Sequence, residues 1–356
     1  MRSRAPAICH ADPGAAKGWT REASAGDENQ LPQILEFLKP YASLATVAAA
    51  VLQTWPKHEQ YIEKRFAGNE VAFLERSNEV ARLALAIMGD EADGYCRDYQ
   101  WMCERFLDEE LYKSFAHPLE RFLDEELYFR RNQTYRLSTF KDAYEQIYGN
   151  NDYMSKYVRG ILISQLLWTP HSRAIDFFRT DFLAKTPNNS AYLEIGPGHG
   201  LFLYFAASQP AIDHLEAWDV SAASIAETKA TLTKLGVGRD VRIIEQDVLL
   251  APSRHDEFDA AVISEVLEHL EAPDRALRSL HAALKPGGRI FINAPINSPA
   301  PDHIYLWRSV GEFREFVRAQ GFEIDAFETF PVTGAALEQA VRRELSISCV
   351  VIARKP

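Results

Sequence analysis

Three glycines at alternate positions, Gly196, Gly198 and Gly200, follow a short apolar run ending in a carboxylate, Glu194, in the segment YLEIGPGHG. Glycine accepts positive φ and lets backbone approach a ligand closely. The residues that follow, LFLYFAA, are apolar and helix-compatible. The turn therefore opens a helix whose first N–H groups face the ligand. This is the chemistry of a nucleotide cradle. Further on, HLEAWDV reads as a second strand ending in Asp219, placed where an acid can bond the ribose hydroxyls of an adenosine, roughly twenty residues past the glycines.

The dinucleotide fingerprint needs a third glycine three residues after the second. Leu201 and Leu203 occupy that position in the two available registers, which argues against a nicotinamide or flavin oxidoreductase. The spacing G-x-G-x-G after an acid instead resembles motif I of the class I S-adenosylmethionine (SAM) dependent methyltransferases, with Glu194 as the motif I acid. Other segments agree in family order: VRIIEQDV as a third strand reaching Asp247, FDAAVISEVLEHL as a fourth, and LKPGGRIFINAPIN as a turn and fifth. A helix, Gly321 and a sixth strand follow, then the final strand ELSISCVVIARK. The resemblance covers about residues 190–356. It implies SAM as cofactor, with Glu194, Gly196, Gly198, Gly200, Asp219, Asp247, Val248 and Ser264 as its contacts. It implies an α/β fold: a seven-stranded Rossmann-like sheet with helices on both faces, and the cofactor across the carboxyl ends of the strands.

The elements that must position these groups divide the chain into three. Residues 1–29, rich in Ala, Gly, Pro and charge and lacking a continuous apolar run, read as a disordered tail and not a secretory signal. Residues 30–170 have helical apolar spacing punctuated by Gly68, Gly89 and Gly149. They form a helical domain expected to cover the catalytic one or to mediate homodimerisation. Residues 171–356 form the SAM-binding domain. ERFLDEELY occurs twice, at 104–112 and 120–128. The repeat reads as a local duplication with solvated acidic faces, because two short copies are too few for a solenoid. The segment entering the catalytic domain, residues 150–178, is aromatic. In many small-molecule methyltransferases the helices before motif I close over the SAM methyl group. By that resemblance Tyr153, Tyr157, Gln165, Trp168 and His171 line the acceptor pocket. Aromatic faces also suit a sulfonium cation.

Charge and cysteine use narrow the partners. The net charge is −11 with no basic run, which disfavours nucleic acid. No apolar run is long enough to span a membrane. The four cysteines form no C-x-x-C pair, so neither a zinc ribbon nor a thioredoxin-like site is expected, and a reducing cytoplasm suits them.

Methyl transfer is an in-line displacement at a carbon activated by positive sulfur, so the protein mainly aligns the reactants and excludes water. A base is needed only for a protonated nucleophile, and histidine is the natural one. By the resemblance, His303, in the loop after strand five, is the preferred base, and His269, after strand four, the second. Glu265, Glu268 and His269 also spell E-x-x-E-H, resembling the metal-dependent small-RNA 2′-O-methyltransferases, which pair that motif with a distant His; by that resemblance His303 could supply a further ligand, and Mg²⁺ or Mn²⁺ would suit such donors. Sulfonium activation needs no Lewis acid, so the expectation is no metal. The reading is methyl transfer to a small-molecule O-, N- or C-nucleophile, by analogy in bacterial natural-product metabolism. The alternatives are a catalytically silent SAM-fold subunit or a metal-dependent 2′-O-methyltransferase.

Overall fold

Strand β1 (Ser190–Ile195) is buried almost end to end, because successive side chains enter different cores. Tyr192 faces a cluster shared with the helical half of the chain, and Leu193 faces a second cluster. This two-sided burial is why the central strands read as near-continuous apolar runs. The computed structural model describes residues 32–106, 123–250 and 254–356. The tail expected over residues 1–29 and most of the first repeat copy lie outside the described residues.

Seven strands form one sheet: β1, β2 (Ile212–Asp219), β3 (Arg242–Glu245), β4 (Phe258–Ser264), β5 (Leu284–Ile296), β6 (Glu323–Pro331) and β7 (Ile347–Arg354). Their order is β3-β2-β1-β4-β5-β7-β6. The first five are parallel, and β7 runs antiparallel to both β5 and β6. The order reverses between β1 and β4, which makes their carboxyl ends the switch point where ligands bind in open α/β sheets. The seven-stranded mixed sheet expected from the sequence is therefore present.

Five helices open the described chain: α1 (Gln33–Leu38), α2 (Ala42–Thr54), α3 (Glu59–Phe66), α4 (Val71–Met88) and α5 (Ala92–Phe106). They are followed by α6 (Leu123–Asn132), α7 (Phe140–Ala143), α8 (Asn151–Leu167) and α9 (Thr169–Phe177). Asn150 caps α8, accepting from Tyr153 N–H at 3.1 Å, and Pro170 sits in the first turn of α9, where a missing N–H costs nothing. No helix among the described residues is long and apolar enough to cross a membrane. Side chains of α2, α4, α5, α8 and α9 share one buried cluster with Tyr192, Phe291 and Val350 of the sheet. Thr333, after β6, accepts hydrogen bonds from Tyr61 Oη and Thr169 N, each at 2.9 Å, joining α3 and α9 to the sheet's last loop. The helices thus share a core with the face of the sheet they cover.

Helix α8 crosses α5 closely because residue 160 is glycine. A Cβ there would lie 3.0 Å from Met102 Cβ and 3.1 Å from the Asp98 carbonyl. Gly160→Val should therefore push the helices apart and destabilise the fold by about 1–3 kcal/mol, the usual cost of overpacking. Denaturant unfolding checks this; an unchanged midpoint would mean that the crossing has slack.

Candidate functional site

The glycine loop begins where β1 ends. Gly196, Gly198 and Gly200 all adopt positive φ, at 67°, 52° and 78°. A Cβ on Gly196 would meet Val266 Cγ2 at 2.6 Å, so glycine is required there by space as well as by φ. A Cβ on Gly198 would meet only the Gly196 carbonyl oxygen, at 3.9 Å, which leaves room above the loop as a backbone cradle needs. Gly200 packs instead against Thr228 and Thr231 and caps helix α10 (Leu201–Ala207).

A cavity of about 270 Å³ lies over this loop and the carboxyl ends of β1, β2, β4 and β5. It is lined by Glu194, Gly196, Gly198, Asp219, Asp247, Val248 and Ser264 from the sequence-derived cofactor set. Gly200 is not in the lining. Of the expected acceptor wall, Tyr157, Gln165, Trp168 and His171 line the same cavity. Tyr153 does not: its ring packs edge-on against Trp101, with centroids 4.8 Å apart. The structure adds residues that sequence reasoning missed. Phe140, Tyr148 and Glu125 reach the cavity from the helical half, and Thr333, Ser346 and Ser348 from around β6 and β7. Nothing in their local sequence marks them. His199, inside the glycine motif itself, also lines the cavity.

Each cofactor-side acid is held by neighbours. Asp219 Oδ1 accepts from Ser221 N at 2.9 Å, and Oδ2 from Ser224 Oγ at 2.6 Å. Burial raises its pKa against these bonds. A carboxylate has about four lone-pair sites, so capacity for ribose hydroxyls remains. Glu194 Oε2 accepts from Tyr192 Oη at 2.6 Å, and burial pushes its pKa up to about 8. Asp247 Oδ1 accepts from Leu249 N at 2.8 Å. Six acids line the cavity and no lysine or arginine does, among the described residues. That donor set fits the sulfonium and ammonium charges of SAM and opposes a phosphate-rich ligand.

The two histidines expected as bases also meet at the cavity, with ring centroids 4.9 Å apart. His303 Nδ1 lies 2.6 Å from the Ser298 carbonyl, and Ser298 N donates to Tyr135 Oη at 2.9 Å. Burial, and then neighbouring His269, lower the pKa of His303 to about 4, so it is a neutral imidazole and a weaker base than an unperturbed histidine. His269 Nδ1 lies 3.1 Å from the Asp302 carbonyl and 3.5 Å from Asp302 Oδ2. The loops carrying them are tied together, since the Glu268 carbonyl accepts from Ile304 N and Tyr305 N at 2.9 Å each. Glu265, just past β4, has φ 54°, an uncommon conformation for a non-glycine residue, and takes a 2.9 Å hydrogen bond from Asn293 Nδ2. Burial pushes its pKa up to about 7. His171 Nδ1 donates to Ser164 Oγ at 2.7 Å, the Ser164 hydroxyl proton being given to the Ile161 carbonyl. The buried thiols Cys96 and Cys349 are pushed up to about 12 and are not nucleophiles.

The raised pKa of Glu194 has a stability consequence. The folded state keeps the proton up to about pH 8, whereas an unfolded glutamate loses it near 4.5. Stability from this group is full below 4.5 and is lost as pH rises towards and through 8. Glu194→Gln mimics the protonated form. In the absence of ligand its melting temperature should gain on that of the parent progressively across this window. Parallel pH–melting curves would show that Glu194 is ionised in the fold.

Residues 170–326 match the family model described as a methyltransferase domain. Among curated proteins, the chain is 32% identical over 133 residues to a ubiquinone biosynthesis O-methyltransferase of Xylella fastidiosa strain 9a5c, a match covering 35% of this chain and 53% of that protein. It is 27% identical over 139 residues to the protein of the same name from Pseudomonas aeruginosa strain UCBPP-PA14, covering 35% and 57%. The chain thus spans about half the length of these curated relatives. Similar solved structures include the [4+2]-cyclase SpnF, at 22% identity and TM-score 0.41, covering 50% of this chain and 79% of that one. Another is the N-methyltransferase NodS of Bradyrhizobium japonicum WM9 with S-adenosylhomocysteine, at 16% and 0.39, covering 52% and 86%. The family-model match falls on residues 170–326, so it is this segment, which carries strands β1 to β5, that is similar to a methyltransferase domain.

Proposed function

We propose that this chain transfers the methyl group of SAM to a neutral or cationic small-molecule acceptor held against the α8–α9 wall. One observation carries the reading: a single cavity joins the glycine loop and Asp219 to Tyr157, Trp168 and Tyr148, with acids but no lysine or arginine in its lining among the described residues. When bound, SAM supplies an electrophilic methyl on a sulfonium. The glycine loop and Asp219 would hold it, and the aromatic wall would exclude water and orient the acceptor. A carboxylate or phosphate acceptor would find no lysine or arginine among the described lining residues to pair with, so it is disfavoured. The O-methyltransferase names of the curated relatives make a hydroxyl acceptor the first class to test. A cytoplasmic, natural-product setting belongs to this proposal as analogy with the resembled family.

The test is transfer of labelled methyl from SAM to a panel of hydroxyl and amine acceptors, run beside SAM calorimetry. Binding without transfer to any acceptor would favour the silent-subunit reading. Asp219→Ala should weaken SAM binding by about 1.5–3 kcal/mol, as for a hydrogen bond to a charged group. Unchanged affinity in the folded variant would remove Asp219 from the site. Tyr157→Ala and Trp168→Ala should leave SAM affinity nearly intact and lower turnover by as much as about a hundredfold, because small misplacements are costly in rate. Unaffected turnover in both would reduce the wall to core packing.

A further inference from the structure

A cavity that suits the positive charges of SAM must also accept a negative one. SAM ends in an amino acid, so it brings an α-carboxylate beside its ammonium and sulfonium. Six acids line the cavity and repel that carboxylate, and no lysine or arginine lines it among the described residues. Neutral N–H or O–H donors must therefore hold it, because a buried carboxylate without a donor is costly. The glycine loop, where the amino-acid end would lie, offers few of them.

Most N–H groups of that loop are already taken. Gly196 N–H goes to the Trp218 carbonyl and Gly200 N–H to the Pro197 carbonyl, each at 2.8 Å. Gly198 N–H bonds Asp219, and Pro197 has no N–H. Leu201 N–H, the first of helix α10, goes to His199 Nδ1 at 3.2 Å. Among the described residues, the donors left on the loop both belong to His199: its backbone N–H and its ring. No other side chain of the loop can donate, since its remaining residues are glycine and proline.

The Leu201 bond fixes what the ring can do. Burial, against a smaller opposing pull from its own backbone, lowers the pKa of His199 to about 4, so the ring is neutral and carries one proton. The nitrogen that accepts from Leu201 cannot hold that proton, which leaves it on Nε2. His199 is only 7% exposed and lines the cavity, and Nε2 has no partner within the protein among the described residues. Nearby His171 is wired the other way. Its Nδ1 proton goes to Ser164 Oγ, so its Nε2 only accepts and cannot receive an anion. We infer that, with SAM bound as proposed above, the Nε2–H of His199 receives its α-carboxylate. The imidazole then stands between helix and ligand: it takes the first helical N–H on one nitrogen and presents a donor from the other. His199 is thereby a binding residue that selects for the carboxylate and takes no part in the displacement at carbon.

The experiment is calorimetry on the full chain with two ligands, SAM and decarboxylated SAM, which keeps the sulfonium, the ribose and the amine. The quantity read is the ratio of the two affinities. It should fall about tenfold or more in His199→Phe, because a hydrogen bond to a charged group is lost for SAM alone. His199→Gln, which keeps an N–H donor, should restore most of the ratio. Thermal melting without ligand reports folding, and if His199→Phe does not fold, His199→Ala decides by the same ratio. A merely structural role would weaken both ligands equally. Equal losses, or no loss for SAM, in a folded variant would overturn the assignment while leaving the methyl-transfer reading intact. Wild-type protein that binds neither ligand would overturn both.

Discussion

Apolar burial on both faces of the central sheet is the constraint from which the rest follows. β1, β4 and β5 each send successive side chains into different cores, so polar chemistry has little room along their length. It collects at the carboxyl edge, where the strands stop pairing and backbone groups turn outward. Glu194, Asp219, Ser264 and Asn293 stand at or near those strand ends. Reversal of strand order between β1 and β4 opens the crevice there. Site and fold thus have a common cause.

Concentrating acids at one edge carries an electrostatic cost. Desolvation raises the pKa values of Glu194, Asp219, Glu265 and Glu268. The fold relieves the cost unevenly. Asp219 takes donors from Ser221 and Ser224, Glu194 from Tyr192, and Glu265 from Asn293. Glu268 keeps its proton and hydrogen-bonds through it to Glu265. A cavity so built suits a positively charged ligand at the cofactor end, by the glycine loop and Asp219.

The helical half contributes wall and closure. Its side chains share a core with one face of the sheet. Helix α8 can approach α5 because Gly160 has no side chain, and it brings Tyr157 and Gln165 to the cavity. Tyr148 and Tyr135 extend this reach to the loop after β5: Tyr148 binds Asp302, and Tyr135 accepts from Ser298, which in turn holds His303. These contacts span more than 150 residues of sequence.

The sequence by itself determined what local rules govern. Alternate glycines after an apolar strand require positive φ and close approach, and the loop has both. Apolar runs closing on Glu194, Asp219 and Asp247 mark the strand ends to within two residues, while Glu216, in the middle of β2, is a buried carboxylate that the strand tolerates because Trp218, Arg242 and Arg254 hold it. Strand number, the antiparallel last strand and the cofactor edge were legible from these local signs. Tertiary structure decided what depends on two distant segments meeting. Tyr153 and Tyr157 share a helix face by spacing, yet only Tyr157 reaches the cavity, because Trp101 of α5 covers Tyr153. Tyr148, Thr333 and Ser348 carry no local sign of their place. The same holds for His269 and His303: only the fold of the loop after β5 brings their rings to 4.9 Å, because desolvation and partner geometry are properties of packing and not of residue order.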